Sequence, residues 1–268
     1  MSEGDPPVIT VKDLKMGYGE KVLMEKLNFE VRRGEVFVIL GGSGSGKSTL
    51  LKHMIGLQTP MAGEVWFGQE NLFAAQGEAR LRVLRRFGVM YQSGALFGSM
   101  TVLENVRLPL DEFTELPVPA KDLIAMAKLS LVSMDAAAGK MPADLSGGMQ
   151  KRAAIARAMA LDPGILFLDE PSAGLDPITS AGLDSLINDL ATNLGITFVV
   201  VTHELPSIYA IADRVIMLDG QTKSIIGEGS PEELRDRSPN PWVRQFFNRE
   251  ADVPKEASNP ITPESLLR

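Results

Sequence analysis

Gly41-Gly42-Ser43-Gly44-Ser45-Gly46-Lys47-Ser48 has the spacing G-x-x-x-x-G-K-[ST], and the chemistry that suits it is the cradling of a phosphate chain. Glycines let successive backbone N–H groups curl round phosphate oxygens, and a helix starting at the lysine adds the positive end of its dipole. Lys47 offers a point charge to the β- and γ-phosphates, and the Ser48 hydroxyl is a Mg²⁺ ligand. Thr49 follows on the same turn and completes the phosphate-side candidates. A Gly/Ser surface turn shares this composition but not its flanks. Here the apolar run Glu35–Leu40 reads as a buried strand before the loop, and Lys47–Ile55 reads as a helix after it.

Ile165-Leu166-Phe167-Leu168-Asp169-Glu170 supplies the acidic counterpart. An apolar strand delivers two carboxylates to its C-terminal end, which is where α/β sheets bind ligands. Asp169 is placed to hold Mg²⁺, directly or through water, and Glu170 to orient or deprotonate an attacking water. Acidic residues after a strand are commonplace, so the pair gains its meaning from the phosphate loop.

These groups need a scaffold. Val8–Val11 and Val22–Val31 read as strands around a turn at Gly17-Tyr18-Gly19, and Val65–Phe67 and Phe87–Tyr91 as further strands. Ile165–Leu168, Thr197–Val201 and Val215–Leu218 complete a series of short apolar strands separated by helical segments, the pattern of a mainly parallel sheet. Between about 95 and 160 the chain is helical and rich in Met, Leu and Ala, with breaks expected at Pro109, Pro117, Pro119 and Pro142. Pro231–Leu234 opens a helix, and Trp242, Val243, Phe246 and Phe247 recur at helical spacing. Past Glu250 the chain is polar and carries Pro254, Pro260 and Pro263, the composition of a flexible extension.

Composition bounds the answer. The 268 residues are 44% hydrophobic and 23% charged, enough for one large α/β domain. With no Cys, neither disulfides nor thiolate metal sites are available, which fits a reducing compartment. No apolar run approaches the ~20 residues of a membrane helix, and the polar, acidic start Met1–Asp5 lacks a signal-peptide pattern. A net charge of -7 argues against nucleic acid as a partner.

Leu145-Ser146-Gly147-Gly148-Met149-Gln150 narrows the field. It resembles the signature sequence of ATP-binding-cassette (ABC) proteins, and a helix from Met149 to Met159 follows it. A lone Ser-Gly-Gly is most often a helix cap; its position between the phosphate loop and the Asp169 strand favours the family reading. The resemblance spans about Val8–Glu233 and implies an α/β P-loop NTPase of ABC fold: a RecA-like core, an N-terminal antiparallel β part and a helical subdomain. The cassette would cover 8–235, after a tail of 1–7 and before an extension of 236–268.

The resemblance also implies roles. Tyr18 matches the aromatic residue that stacks on adenine, although a surface tyrosine in a turn would look the same. Gln92 matches a glutamine that senses Mg²⁺, Ser172-Ala173-Gly174-Leu175-Asp176 a loop that crosses the dimer interface, and His203 a histidine on the γ-phosphate. His53 reads as structural. In such proteins ATP bound with Mg²⁺ lies between two protomers, gripped by Lys47 and Ser48 of one and by Ser146, Gly147 and Gly148 of the other. Met149 departs from the usual Gln and Gly42 from the more frequent Pro; neither removes an element that hydrolysis needs.

The family drives a separate membrane permease. Tyr91–Phe97, the signature ending in Met149, and Asn240–Phe246 are similar to a narrower branch, the Mla-type ATPases of phospholipid trafficking. These sit on the cytoplasmic face of the bacterial inner membrane with a permease, MCE lipid-binding proteins and often a STAS-domain protein. An importer of a small solute would carry the same motifs. A DNA-repair cassette needs a coiled coil that Thr49–Asp144 cannot hold, a ribosome-acting one usually carries two cassettes, and a stand-alone P-loop kinase leaves Leu145–Gln150 unexplained.

Overall fold

A computed structural model describes residues 6–250. Six strands form the main sheet, in the order β10-β9-β3-β8-β7-β6: β3 (Val36–Gly41), β6 (Phe87–Met90), β7 (Ile165–Asp169), β8 (Thr197–Val201), β9 (Arg214–Asp219) and β10 (Ser224–Gly229). All neighbours are parallel except β9 and β10. β3 and β8 are buried at every position, as strands with both faces covered must be, and this explains their unbroken Val/Ile/Leu/Phe content. The second sheet is antiparallel, β2-β1-β4-β5, built from β1 (Ile9–Tyr18), β2 (Lys21–Val31), β4 (Ala62–Phe67) and β5 (Glu70–Asn71).

Period-two alternation divides the main sheet between two cores. Phe37, Ile39, Phe167, Val199, Val201, Ile216 and Leu218 face the antiparallel sheet and α1 (Lys47–Met54), with Phe67 stacked on Phe87 and both meeting Phe167 edge-on. Val36, Val38, Leu40, Leu166, Leu168, Phe198 and Val200 face the helices. α3 (Val102–Phe113), α4 (Val118–Leu131) and α5 (Gly147–Ala158) contribute Val102, Val106, Ala125, Leu129 and Ala153–Ala156 to that same cluster, so the helical stretch shares the core of the sheet. α6 (Pro177–Leu194) and α7 (Leu205–Ile211) complete the layer.

Several expectations need correction. β1 runs unbroken through Gly17 and Tyr18, so Tyr18 ends a strand and the turn is Gly19–Glu20. Pro109 lies inside α3 and does not break it; the reciprocal cap of Thr101 and Glu104 anchors the start, and Val102, Val106 and Leu110 bury one face. Pro119 occupies the second position of α4, where its missing N–H costs nothing. The helix after the signature begins at Gly147, two residues early, because Ser146 is its cap. α2 (Gly77–Leu84) and β10 were not foreseen.

At the C-terminal end, α8 (Pro231–Arg237) runs through the expected boundary at 235. α9 (Pro241–Asn248) packs Val243 and Phe247 into the helical-side core, and the Tyr209 hydroxyl donates to the Phe247 carbonyl at 3.1 Å. The proline-bearing end beyond Glu250 and the residues before Pro6 lie outside the described residues.

Candidate nucleotide site

The loop from β3 to α1 places its groups by backbone geometry. Gly46, at the N-cap of α1, has φ +92°, a left-handed conformation that a side chain would strain. Gly42, by contrast, borders open space, so its departure from the family pattern carries no steric consequence. The Lys47 ammonium donates to the carbonyls of Gly41 at 2.9 Å and Gly42 at 3.1 Å. Burial pushes its pKa down, opposed by Glu170 and Asp169. It is a half-buried cation parked on loop carbonyls, ready to exchange them for an anion. Ser43 and Gly44 are exposed and Ser45 is buried, with its hydroxyl unpaired.

β7 lies beside β8 in the sheet and brings Asp169 to the phosphate loop. Ser48 Oγ donates to Asp169 Oδ1 at 3.4 Å. Burial, and then the neighbouring Glu170, raise the Asp169 pKa. Thr49, one residue on, shares a 3.0 Å hydrogen bond between its hydroxyl and that of Tyr18, whose ring is half exposed.

Glu170 is held in an unusual way. It has φ +47°, in a region sparsely used by residues other than glycine, and its N–H donates to the Val201 carbonyl at 2.8 Å. The buried carboxylate meets His203 Nδ1 through Oε1 at 2.8 Å. An ionised carboxylate can only accept, so Nδ1–H donates, and Nε2 faces the Glu204 carboxylate at 3.5 Å. Oε2 is buried without a partner. A buried carboxylate oxygen left open beside a phosphate loop is the kind of orphan that a water or ligand satisfies.

Gln92 is exposed on its side chain, and its place in the site comes through its backbone. The Lys151 ammonium, on α5, donates to the carbonyls of both Gln92 and Glu170, the latter at 3.2 Å. Burial lowers the Lys151 pKa, against the pull of Asp169 and Glu170. Lys151 thus ties the signature helix to the segments carrying Gln92 and Glu170, a connection that sequence reasoning missed. The available signal was a lysine three residues from Gly148 and from Ala154, on the small, buried face of its helix.

The signature segment is separate. Ser146 caps α5, accepting from the Met149 N–H at 3.3 Å. A Cβ on Gly148 would overlap the Thr179 side chain, so α5 and the start of α6 approach closely only because that position is glycine. Met149 packs on the helical-side core, taking an apolar place rather than a polar one. Among the described residues, no hydrogen bond joins Ser146, Gly147 or Gly148 to the phosphate loop. His53 is buried, with Nδ1 on the Gln58 carbonyl at 2.8 Å, away from these groups.

Lys47, Ser48, Asp169, Glu170 and His203 therefore lie at the ends of β3, β7 and β8, with the Tyr18–Thr49 pair at the start of α1 and Gln92 attached through Lys151. No group of three or more His, Cys, Asp or Glu that could hold a metal occurs among the described residues. A cation here would rest on Ser48 and Asp169 and take its remaining oxygens from phosphates and water, which fits Mg²⁺. This fold and site define a P-loop α/β nucleotide-binding domain equipped for hydrolysis.

Comparison with known proteins identifies the kind. The family profile described as ABC transporter matches residues 24–173. The chain is 40% identical over 254 residues to the intermembrane phospholipid transport system ATP-binding protein MlaF of Escherichia coli strain K12, covering 95% of this chain and 93% of that one. It is 38% identical over 240 residues to the probable ribonucleotide transport ATP-binding protein mkl of Mycobacterium leprae, covering 90% and 68%. Among solved structures, the dimeric post-hydrolysis state of the ATP-binding cassette MJ0796 bound to ADP and Pi superposes with a TM-score of 0.74 at 30% identity, over 83% of this chain and 98% of that one. The chain belongs to the ABC transporter family and is one of its ATPases.

Proposed function

We propose that this ATPase powers intermembrane phospholipid transport as a homodimer on the cytoplasmic face of a bacterial inner membrane, docked on a separate permease. The observation that carries the chemistry is the polar path Ser48–Asp169–Glu170–His203, with one Glu170 oxygen left open. The cargo rests on the likeness to MlaF across nearly the whole chain. No helix among the described residues is long and apolar enough to cross a membrane, consistent with a partner supplying the channel.

In this reading Lys47 leaves the Gly41 and Gly42 carbonyls for the β- and γ-phosphates, and the loop N–H groups with the α1 N-terminus hold the remaining oxygens. Tyr18 covers the adenine, and Thr49 exchanges the Tyr18 hydroxyl for a phosphate oxygen. Ser48 and Asp169, with Gln92, would hold Mg²⁺, which would supply charge neutralisation on the phosphates. Glu170 orients a water through its open Oε2 and receives its proton. His203, fixed by its Nδ1–H on Glu170, turns Nε2 from the Glu204 carboxylate to the γ-phosphate. Ser146, Gly147 and Gly148 close on the ATP of the partner protomer, so binding joins the dimer and hydrolysis releases it.

The test is affinity purification of the tagged chain from detergent-solubilised native membranes, with mass spectrometry of what accompanies it. A permease together with an MCE protein and a STAS-domain protein supports the proposal. A permease with a soluble solute-binding protein replaces it with small-solute import, the reading that the likeness to mkl favours.

A further inference from the structure

The turn after Glu170 and the helix after His203 are joined at a second point. Ser207, in the first turn of α7, donates its hydroxyl to Asp184 Oδ2 on α6 at 2.9 Å, and its oxygen lies 3.4 Å from the Ser172 hydroxyl. The single Ser207 proton serves both acceptors, the nearer Asp184 carboxylate first and the Ser172 hydroxyl as its weaker partner. All three residues are buried. Ser172 is two residues beyond Glu170, and Ser207 is four beyond His203. With the 2.8 Å bond from His203 to Glu170, chain and hydrogen bonds form a closed ring: Glu170 to Ser172, across to Ser207, back to His203, and across again to Glu170.

Apolar packing holds this ring on one face only, through Leu175, Leu183, Leu205 and Ile208 of the helical-side core. A cavity of about 440 Å³ borders it, lined by Ser172, Gly174, Leu175, Asp184, Glu204 and Ser207. The 172–176 turn is therefore unsupported on that side, and its own bonds, such as Leu175 N–H to the Ser172 carbonyl at 3.1 Å, are local. Asp184 is an expensive residue to keep in such a place. Burial raises its pKa, only partly offset by the Ser207 bond, and Oδ1 has no partner. A buried carboxylate that stabilises nothing else is retained at a cost, and what it anchors here is the junction of the two segments that carry the catalytic pair.

We propose that Asp184 is a positioning residue for hydrolysis: through Ser207 and Ser172 it fixes the distance between the Glu170 turn and the His203 helix. The inference rests on the assignment of Glu170 and His203 as the hydrolytic pair. Asp184 lies outside the Ser48–Asp169–Glu170–His203 path, so its removal is expected to affect turnover and spare binding.

The experiment measures steady-state ATP hydrolysis by the full-length chain purified with its membrane partners. Asp184→Ala is expected to lower kcat about tenfold or more, as loosened catalytic geometry does, with KM unchanged within about twofold. Asp184→Asn keeps an acceptor for the Ser207 hydroxyl and should recover most of the rate. Ser207→Ala removes the bridge with almost no change in volume and should reproduce the loss in milder form, which keeps the test decisive where the first variant fails to fold. Unchanged kcat in Ser207→Ala, no recovery in Asp184→Asn, or a KM that rises in step with the loss of kcat would each overturn the proposal. Glu170→Gln run in parallel reports on the site itself: if that variant keeps full turnover, the hydrolytic assignment fails, and not the clamp.

Discussion

The phosphate loop with its acidic partners and the start of α5 are built to different standards of completeness. Around the ends of β3, β7 and β8, most polar groups already have a partner, with Ser45 Oγ and Glu170 Oε2 the exceptions: Lys47 is on loop carbonyls, Ser48 on Asp169, His203 on Glu170, Tyr18 on Thr49. At the start of α5, Ser146 does no more than cap its own helix, and Gly147 is exposed. The first region is preorganised, with internal bonds standing in for the ligand's. The second presents a helix N-terminus with nothing of its own chain to act on. An anion-binding end so exposed makes sense when the phosphate arrives on another protomer.

This contrast breaks most directly at Glu170. Glu170→Gln keeps the shape and the bond to His203 but loses the proton acceptor, so turnover should fall by about 10²–10⁴-fold while ATP still binds; a variant that turns over at the normal rate ends the assignment. Next comes Lys47→Ala, which deletes the charge-assisted contact to phosphate and should weaken ATP binding by roughly 10–100-fold, read by fluorescent-nucleotide titration. Ser146 sharpens the comparison from the other side. Ser146→Asn retains a capping side chain and Ser146→Ala does not, so the alanine variant alone should lose about 1 kcal/mol of stability. If the exposed end serves the partner's ATP, both should impair ATP-driven dimerisation, measured by light scattering, because neither restores the serine hydroxyl. Dimerisation intact in the asparagine variant would reduce Ser146 to a cap.

Legibility in the sequence followed the same division. The phosphate loop and the Asp169-Glu170 pair are local patterns, and the parallel strands announce themselves as unbroken apolar runs because both faces are covered. β10 escaped notice because it is an edge strand, SIIGEG, nowhere fully buried and carrying two glycines. α2 escaped because only Val83 is buried along it. Pro109 misled because the packing of α3 outweighs the proline. Lys151 was invisible for a different reason: its partners lie 59 and 19 residues away, and only the fold reveals that one buried ammonium joins Gln92 to Glu170. Replacing it with Met should cost about 1–3 kcal/mol, the price of leaving buried acceptors unpaired, and should also slow hydrolysis, whereas a purely packing role would lower Tm and spare kcat.

The smallest expected effect lies on the other side of the phosphate-loop helix, where chemistry gives way to packing. His53 sits in α1 six residues after Lys47, buried, with Nδ1–H donated to the Gln58 carbonyl and Nε2 unpaired. Burial lowers its pKa below the usual histidine value, only partly countered by that hydrogen bond. The folded state therefore resists protonating a ring that the unfolded chain protonates readily, so the unfolded state binds more protons in the window just below the ordinary pKa near 6.5. Stability due to this ring is present above that value and is lost as pH falls through the lowered one. Melting temperatures should decline between pH 7 and 5, and His53→Gln, which cannot be protonated, should remove part of the decline without changing nucleotide affinity at pH 7.5. A slope indifferent to the substitution would place the acid sensitivity elsewhere, and a change in nucleotide affinity would mean that the two faces of α1 are not as separate as their hydrogen bonds make them.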